Sequence, residues 1–196
     1  MQHMLTDIKS ASRRAADLAR QMLAYSGKGT FIIDRFEVEG LVREMGDLLS
    51  VSLGQGVQLA YDFAAPGAMI EGDGTQLRQV VMNLVINASE AIGEGGGTVT
   101  VKTALVHATR ATFAGMYLSP DLPEGDYIEV RVTDTGRGMN AETASRIFDP
   151  FFTTKFTGRG LGLAAVLGIV RGHRGAISVT SAEGAGTMFT LLFPRA

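Results

Sequence analysis

Apolar residues recur along this chain with two different periods, and the switches between them mark out its elements. Over the first 26 residues Ile8, Ala11, Ala15, Leu18, Met22 and Tyr25 follow alternating steps of three and four, a heptad-like seam on a predicted helix. Lys9, Arg13, Arg14, Asp17, Arg20 and Gln21 fill the other faces, and Gly27-Lys-Gly29 stops the helix. So narrow a seam has little core of its own. It fits a helical-bundle or dimerisation element, with docking on its own domain as the alternative.

From Thr30 onward the pattern becomes mixed. Phe36 to Leu53 reads as one amphipathic helix with Val38, Leu41, Val42, Met45, Leu48 and Leu49 on one side. Val57, Leu59, Tyr61 and Phe63 alternate as on a half-buried strand, and Ala68-Met-Ile70 is a short second one. Asp73 is placed to cap the helix that follows, with Gln76 at the capping-box spacing. Further strands are predicted over 98–106, 127–133, 177–180 and 187–193, and further helices over 140–148 and 163–171. The Gly- and Pro-bearing segment between the first two of these strands reads as a surface connection, and Glu183-Gly-Ala-Gly186 joins the last two. Helices with mainly antiparallel strands imply an α/β two-layer sandwich, preceded by one long N-terminal helix.

Composition narrows the class. At 196 residues with 45% hydrophobic and 19% charged positions, the chain has enough apolar material for a core without staples. The absence of cysteine removes disulfides and thiolate metal sites. A net charge of −2 gives no basic field, so no nucleic-acid partner is expected. No apolar run reaches the roughly 20 residues of a membrane span, and the start lacks signal-peptide character. A cytoplasmic location is expected, with a membrane anchor elsewhere in a longer parent left open.

Three features carry chemistry. Asn83 and Asn87 lie four apart inside the apolar run Val80 to Ile92, on one face of a helix, and buried carboxamides need partners. Asp134 ends a predicted strand and is followed by Gly136 and Gly138. A carboxylate there can accept from the exocyclic amine of adenine, whereas the carbonyl oxygen of guanine would face it repulsively. A plain turn after a strand uses the same residues. Gly158-Arg-Gly160-Leu161-Gly162 precedes an apolar helix whose free N–H groups suit phosphate. It matches neither the dinucleotide loop nor the Walker loop. Between the two glycine clusters, Phe148, Phe151 and Phe152 read either as a flap over the site, with Lys155 free to neutralise phosphate, or as ordinary core.

These residues resemble the boxes of sensor histidine kinases. Asn83-Leu-Val-Ile-Asn87 is similar to their N box, and Asp134-Thr-Gly136-Arg-Gly138 to the first glycine box. Phe148-Asp-Pro-Phe151-Phe152 resembles the F box, and Gly158-Arg-Gly160-Leu161-Gly162-Leu the second glycine box. Gly186-Thr187-Met-Phe189 resembles the family's closing strand. The resemblance implies the Bergerat ATP-binding fold shared with gyrase, Hsp90 and MutL, a mixed, mainly antiparallel sheet with helices on one face. It implies ATP and Mg²⁺ as ligands, with Asn87 on the metal and Asn83 on phosphate or a metal-bound water. Asp134 would take the adenine amine, supported by Thr187, and Gly158, Gly160 and Gly162 would let a lid close over the triphosphate.

The resemblance also implies a domain division, with half of a dimerisation and phosphotransfer hairpin over 1–29 and a catalytic ATP-binding domain over 30–196. Two departures refine it. The ATPase branch of the fold carries a water-activating glutamate where this chain has Asn83, so hydrolysis is disfavoured against phosphoryl transfer. Some histidine kinases place a basic residue three positions after the metal asparagine; here it is Glu90. Of the histidines, His3 lacks the acidic neighbour and proline of a phosphoacceptor, and His107 and His173 are expected in exposed connections. The expectation is therefore a protein histidine kinase without a catalytic side chain or acceptor histidine of its own, unable to autophosphorylate alone. It would act on a histidine outside this chain for relay to a response-regulator receiver domain, in a parent that dimerises through its helical hairpin. An ATPase of the same fold and a nucleotide-sensing pseudokinase or interaction module are the alternatives.

Overall fold

The computed structural model describes residues 32–118, 121–155 and 160–196; the predicted N-terminal helix, His3 and Gly158 lie outside them. In chain order the elements are β1 (Asp34–Glu37), α1 (Val38–Glu44), α2 (Gly46–Ser52), β2 (Val57–Ala64), β3 (Met69–Gly72), α3 (Gly74–Ile92) and β4 (Gly97–Ala108). There follow α4 (Arg110–Phe113), β5 (Gly125–Asp134), α5 (Ala141–Arg146), α6 (Gly162–Gly172), β6 (Ala176–Ser181) and β7 (Thr187–Pro194). The main sheet has the order β2-β4-β5-β7-β6 and is antiparallel except between β2 and β4. A parallel pair needs a long crossover, and β3 with α3 supplies it.

Period decides what α3 buries. Leu77, Val80, Val81, Leu84, Val85 and Ala88 recur at steps of three and four and are buried together with Val99, Val101, Val130, Val132 and Phe189 from the sheet. Burial of each large aliphatic here contributes roughly 1.5–3 kcal/mol. Val166, Ile169 and Val170 of α6 join the same core, so α3 and α6 lie side by side, α3 against β4 and β5 and α6 against β6. A smaller cluster of Ala108, Phe113, Tyr127, Ala176 and Leu192 forms separately, with α4 contributing its Phe113.

The segment 36–53 departs from the single predicted helix. Phe36 and Glu37 pair with Ile70 and Met69 in a two-stranded antiparallel ribbon, so β3 takes the backbone groups a helix would have used. The remaining helix breaks at Met45, whose N–H reaches the Val42 carbonyl at 3.2 Å in an i→i+3 turn. Gly46, a poor helix former, restarts it; a Cβ there would stand 3.3 Å from the Tyr61 hydroxyl. Glu39 is buried but satisfied, accepting from the Ala65 N–H at 2.7 Å and the Thr103 hydroxyl at 2.6 Å, which pins α1 to β4 and the end of β2.

The cap of α3 is half as predicted. Asp73 Oδ1 accepts from the N–H groups of Thr75 (2.9 Å) and Gln76 (3.2 Å). The reciprocal bond is not made by Gln76. The Asp73 N–H instead donates to Nε2 of His173 at 2.9 Å. His173, expected in an exposed turn, is 6% exposed at the end of α6. Its Nδ1 lies 2.8 Å from the Ile169 carbonyl, which can only accept, so Nδ1 carries the hydrogen and Nε2 the lone pair. One imidazole thus joins the start of α3 to the end of α6. Gly72 leaves room for it, since a Cβ there would overlap the ring. His107 lies within β4 rather than beyond it, exposed and 2.9 Å from Asp126.

Candidate functional site

The residues predicted to carry chemistry gather around one cavity of about 820 Å³, a size suited to a nucleotide-scale ligand. Its lining comes from α3 (Asn87, Glu90, Ala91), the loop after β5, the segment 152–155, the start of α6, and Thr187 with Phe189 on β7. The sheet positions the first group. Asp134 is the last residue of β5 and pairs in register with Thr187, the first of β7. It is 5% exposed, and its Oδ1 accepts from the Gly136 N–H at 2.8 Å. Burial pushes its carboxyl above the ordinary carboxylate range, against the pull of the Gly136 and Thr187 N–H groups, and no cation among the described residues offsets that cost.

The glycines after Asp134 are dictated by close approach. A Cβ on Gly136 would stand 2.6 Å from the Ala91 backbone, so this glycine packs the loop onto α3 rather than lining the cavity. Gly138 has φ +65°, and a Cβ there would overlap the Ala182 carbonyl oxygen. The Arg137 N–H donates to the Ala91 carbonyl at 3.1 Å. Ala91 lies one turn beyond Asn87, so the loop carrying Asp134 docks about 6 Å along the helix axis from that amide.

The second group surrounds Asn87. Its Oδ1 accepts from the Lys155 ammonium at 3.0 Å, and the same ammonium contacts the Glu90 carboxylate. Lys155 is therefore not free, as the sequence suggested, but seated on the amide oxygen expected to hold a metal. A cation at that oxygen is what a divalent ion would replace, and the donor set fits Mg²⁺, which takes few protein oxygens and leaves the rest to water and phosphate. Among the described residues there is no group of three or more His, Cys, Asp or Glu that could form a full metal cage. Asn83 does not line the cavity; its Nδ2 donates to the Gly162 carbonyl at 3.4 Å, joining α3 to the start of α6.

Where α3 is capped by Asp73, α6 begins at Leu161 with no side-chain cap among the described residues, and Gly160, Leu161, Gly162 and Leu163 line the cavity. Free N–H groups and a positive dipole end face that space, which suits an anion. The three phenylalanines separate. Phe148 is core, edge-on to Tyr117 and Phe189 with ring centres 4.8 and 6.5 Å away. Phe152 lines the cavity, with the Arg146 guanidinium 4.5 Å over its ring. Phe151 neither packs into the core nor covers the cavity: it is 63% exposed at φ +68°, and its N–H donates to the Gly160 carbonyl at 2.8 Å. That bond clasps Phe151 to the glycine just before the start of α6.

Ser181 and Met139 escaped the sequence reading. Met139 lines the cavity, and its N–H donates to Ser181 Oγ at 2.9 Å. Neither stands out in sequence, because a serine at a strand end has no periodic signature.

Comparison with known proteins agrees with this geometry. The profile described as Histidine kinase-, DNA gyrase B-, and HSP90-like ATPase matches residues 72–196. The sensor kinase CckA of Brucella abortus (strain 2308) is 37% identical over 97% of this chain and 20% of its own length. The sensor histidine kinase ZraS of Escherichia coli (strain K12) is 39% identical over 64% of the chain and 23% of its length. The chain thus spans about a fifth to a quarter of these relatives. Among solved structures, full-length ShkA in complex with AMPPNP superposes with a TM-score of 0.75 at 25% identity, over 100% of this chain and 39% of that one. The nucleotide-free catalytic domain of histidine kinase ThkA gives 0.62 at 27% identity over 83% and 95%. With the profile covering most of the chain, this protein belongs to the histidine kinase-, DNA gyrase B- and HSP90-like ATPase family.

Proposed function

We propose that this cavity binds Mg-ATP and that the chain is the catalytic part of a sensor histidine kinase, passing the γ-phosphoryl group to a histidine outside this chain. The observation that carries this reading is the pairing, within one cavity, of a buried carboxylate that no described cation partners and an amide oxygen already holding an ammonium. Asp134 would accept from the adenine amine, which adds a donor to the Gly136 and Thr187 N–H groups already on this carboxylate. Ile147, Phe152 and Phe189 give the base apolar walls, and the uncapped start of α6 meets the phosphates. Asn87 would hold Mg²⁺, which when bound neutralises phosphate charge and fixes the orientation of the chain of phosphates. Lys155, displaced from Asn87, becomes available to the γ-phosphate.

Asn83, at the place where the ATPase branch carries its glutamate, is an amide committed to Gly162. The remaining work is positioning and charge stabilisation: the bond from the γ-phosphorus to the bridging oxygen breaks as one to a histidine nitrogen forms. The nucleophile, the hairpin that carries it, dimerisation through that hairpin and relay to a receiver aspartate belong to the intact parent. Calorimetric titration with Mg-ATP tests the site. Saturable binding that weakens on Asp134→Asn is expected. Absence of binding, or equal binding by the variant, overturns the assignment.

A further inference from the structure

The polarity of the hydroxyl beside Asp134 is set from outside the cavity. Ser181, the last residue of β6, does not line the cavity, yet its Oγ reaches three groups of the surrounding loops. It donates to the Gly186 carbonyl at 2.9 Å and accepts from the Met139 N–H at 2.9 Å. The third contact is Thr187 Oγ1 at 3.0 Å. A hydroxyl has one hydrogen and two lone pairs, and a carbonyl can only accept. The Ser181 hydrogen is therefore spent on Gly186, and Thr187 must be the donor in the bond between the two hydroxyls. Thr187 lines the cavity, but its hydroxyl hydrogen points out of it, toward Ser181. Toward the ligand it offers lone pairs, as does the neighbouring carboxylate of Asp134.

We propose that Ser181 is a positioning residue for base recognition: by holding Thr187 as an acceptor, it keeps the hydroxyl beside Asp134 from offering its hydrogen to the base. A purine bearing an amine at its six-position is then accepted, and one bearing a carbonyl oxygen finds no hydrogen there. The proposal rests on the reading of the cavity as an ATP site and deepens it. Two acceptors side by side exclude an incoming oxygen more firmly than one, because a single rotatable hydroxyl could turn its hydrogen inward and satisfy it.

The test compares ATP with inosine triphosphate, whose base carries oxygen in place of the amine, by calorimetry with Mg²⁺ on the full chain. In Ser181→Ala the Thr187 hydroxyl is released, and the ATP-to-inosine-triphosphate affinity ratio falls roughly two- to tenfold, the worth of one neutral hydrogen bond. Adding Thr187→Val to Ser181→Ala restores the ratio, since no hydroxyl remains to turn. Ser181→Thr keeps the wild-type ratio. If Ser181→Ala does not fold, Ser181→Cys, whose sulfur is a weak acceptor, shifts the ratio in the same direction. Affinities that fall together at constant ratio would mean that Ser181 only braces the loops, and would overturn the proposal. Failure of the wild type to bind ATP at all would instead overturn the ATP reading itself.

Discussion

Exchanging Asp134 for asparagine separates two consequences of one buried carboxylate, because affinity and stability should move in opposite directions. In the folded protein the carboxyl is 5% exposed and burial, the largest influence on it, raises its pKa. The charged form is therefore a cost to the unliganded fold. Asparagine keeps the shape and an oxygen to accept from the Gly136 N–H, which stands at 2.8 Å from Oδ1, and removes that cost. Unfolding in urea should show the variant at least as stable as the wild type at neutral pH. Nucleotide binding, by contrast, loses a hydrogen bond to a charged acceptor, worth roughly 1.5–3 kcal/mol, so affinity for Mg-ATP should fall roughly 10- to 150-fold. The pH dependence carries the same signature. A raised folded-state pKa means that the folded protein takes up a proton before the unfolded chain does. Stability from this group is thus gained as pH falls through the raised value toward the ordinary carboxylate range, and is lost as pH rises back through it. ATP affinity should decline over that same acid window, since it uses the carboxylate, and the asparagine variant should show neither trend. Calorimetry and urea melts at a series of pH values check both. A variant that loses stability while binding nucleotide normally would refute the reasoning, leaving Asp134 as a turn former only.

Other positions give sharper or simpler readouts. Gly138→Ala, at φ +65° with its Cβ overlapping Ala182, should abolish nucleotide binding, whereas Gly184→Ala, at φ +76° with nothing near its Cβ, should cost only about 1–2 kcal/mol of stability and leave binding intact. His173→Ala strands the Asp73 N–H and leaves a void between α3 and α6, so we expect about 2–4 kcal/mol of destabilisation in urea melts and a melting temperature lower by roughly 4–16 °C. Glu90→Gln frees Lys155 from a half-exposed ion pair; Mg-nucleotide affinity by calorimetry should rise, by no more than about fivefold given the small worth of such pairs.

What could be read from sequence follows the range of the interactions involved. The amides of Asn83 and Asn87, the strand-ending Asp134 and the glycine-led helix are local patterns, and among the described residues the structure brings all of these but Asn83 and Gly136 to the cavity wall. Asn83 points to Gly162 because α3 and α6 pack together, a tertiary fact that spacing does not reveal. His173 looked like a turn residue between glycines; its partner Asp73 is 100 positions away. The same holds for β1, which is a strand only because β3 lies beside it, and for Lys155, whose charge was legible but not its seat on Asn87. Phe151 was misjudged because apolar character says nothing about a backbone at φ +68°, where the residue serves the clasp to Gly160. Gly158 and the N-terminal seam lie outside the described residues.

The measurement that bears most directly on the account supplies the chain with a phosphotransfer hairpin carrying an acceptor histidine, in trans, together with Mg²⁺ and ATP labelled at the γ-phosphate. Label should appear on the hairpin in an acid-labile, base-stable form, and should vanish with Asn87→Ala or Asp134→Asn. Steady release of inorganic phosphate with no labelled hairpin, from a chain that binds ATP, would contradict it and make the protein a hydrolase of the same fold.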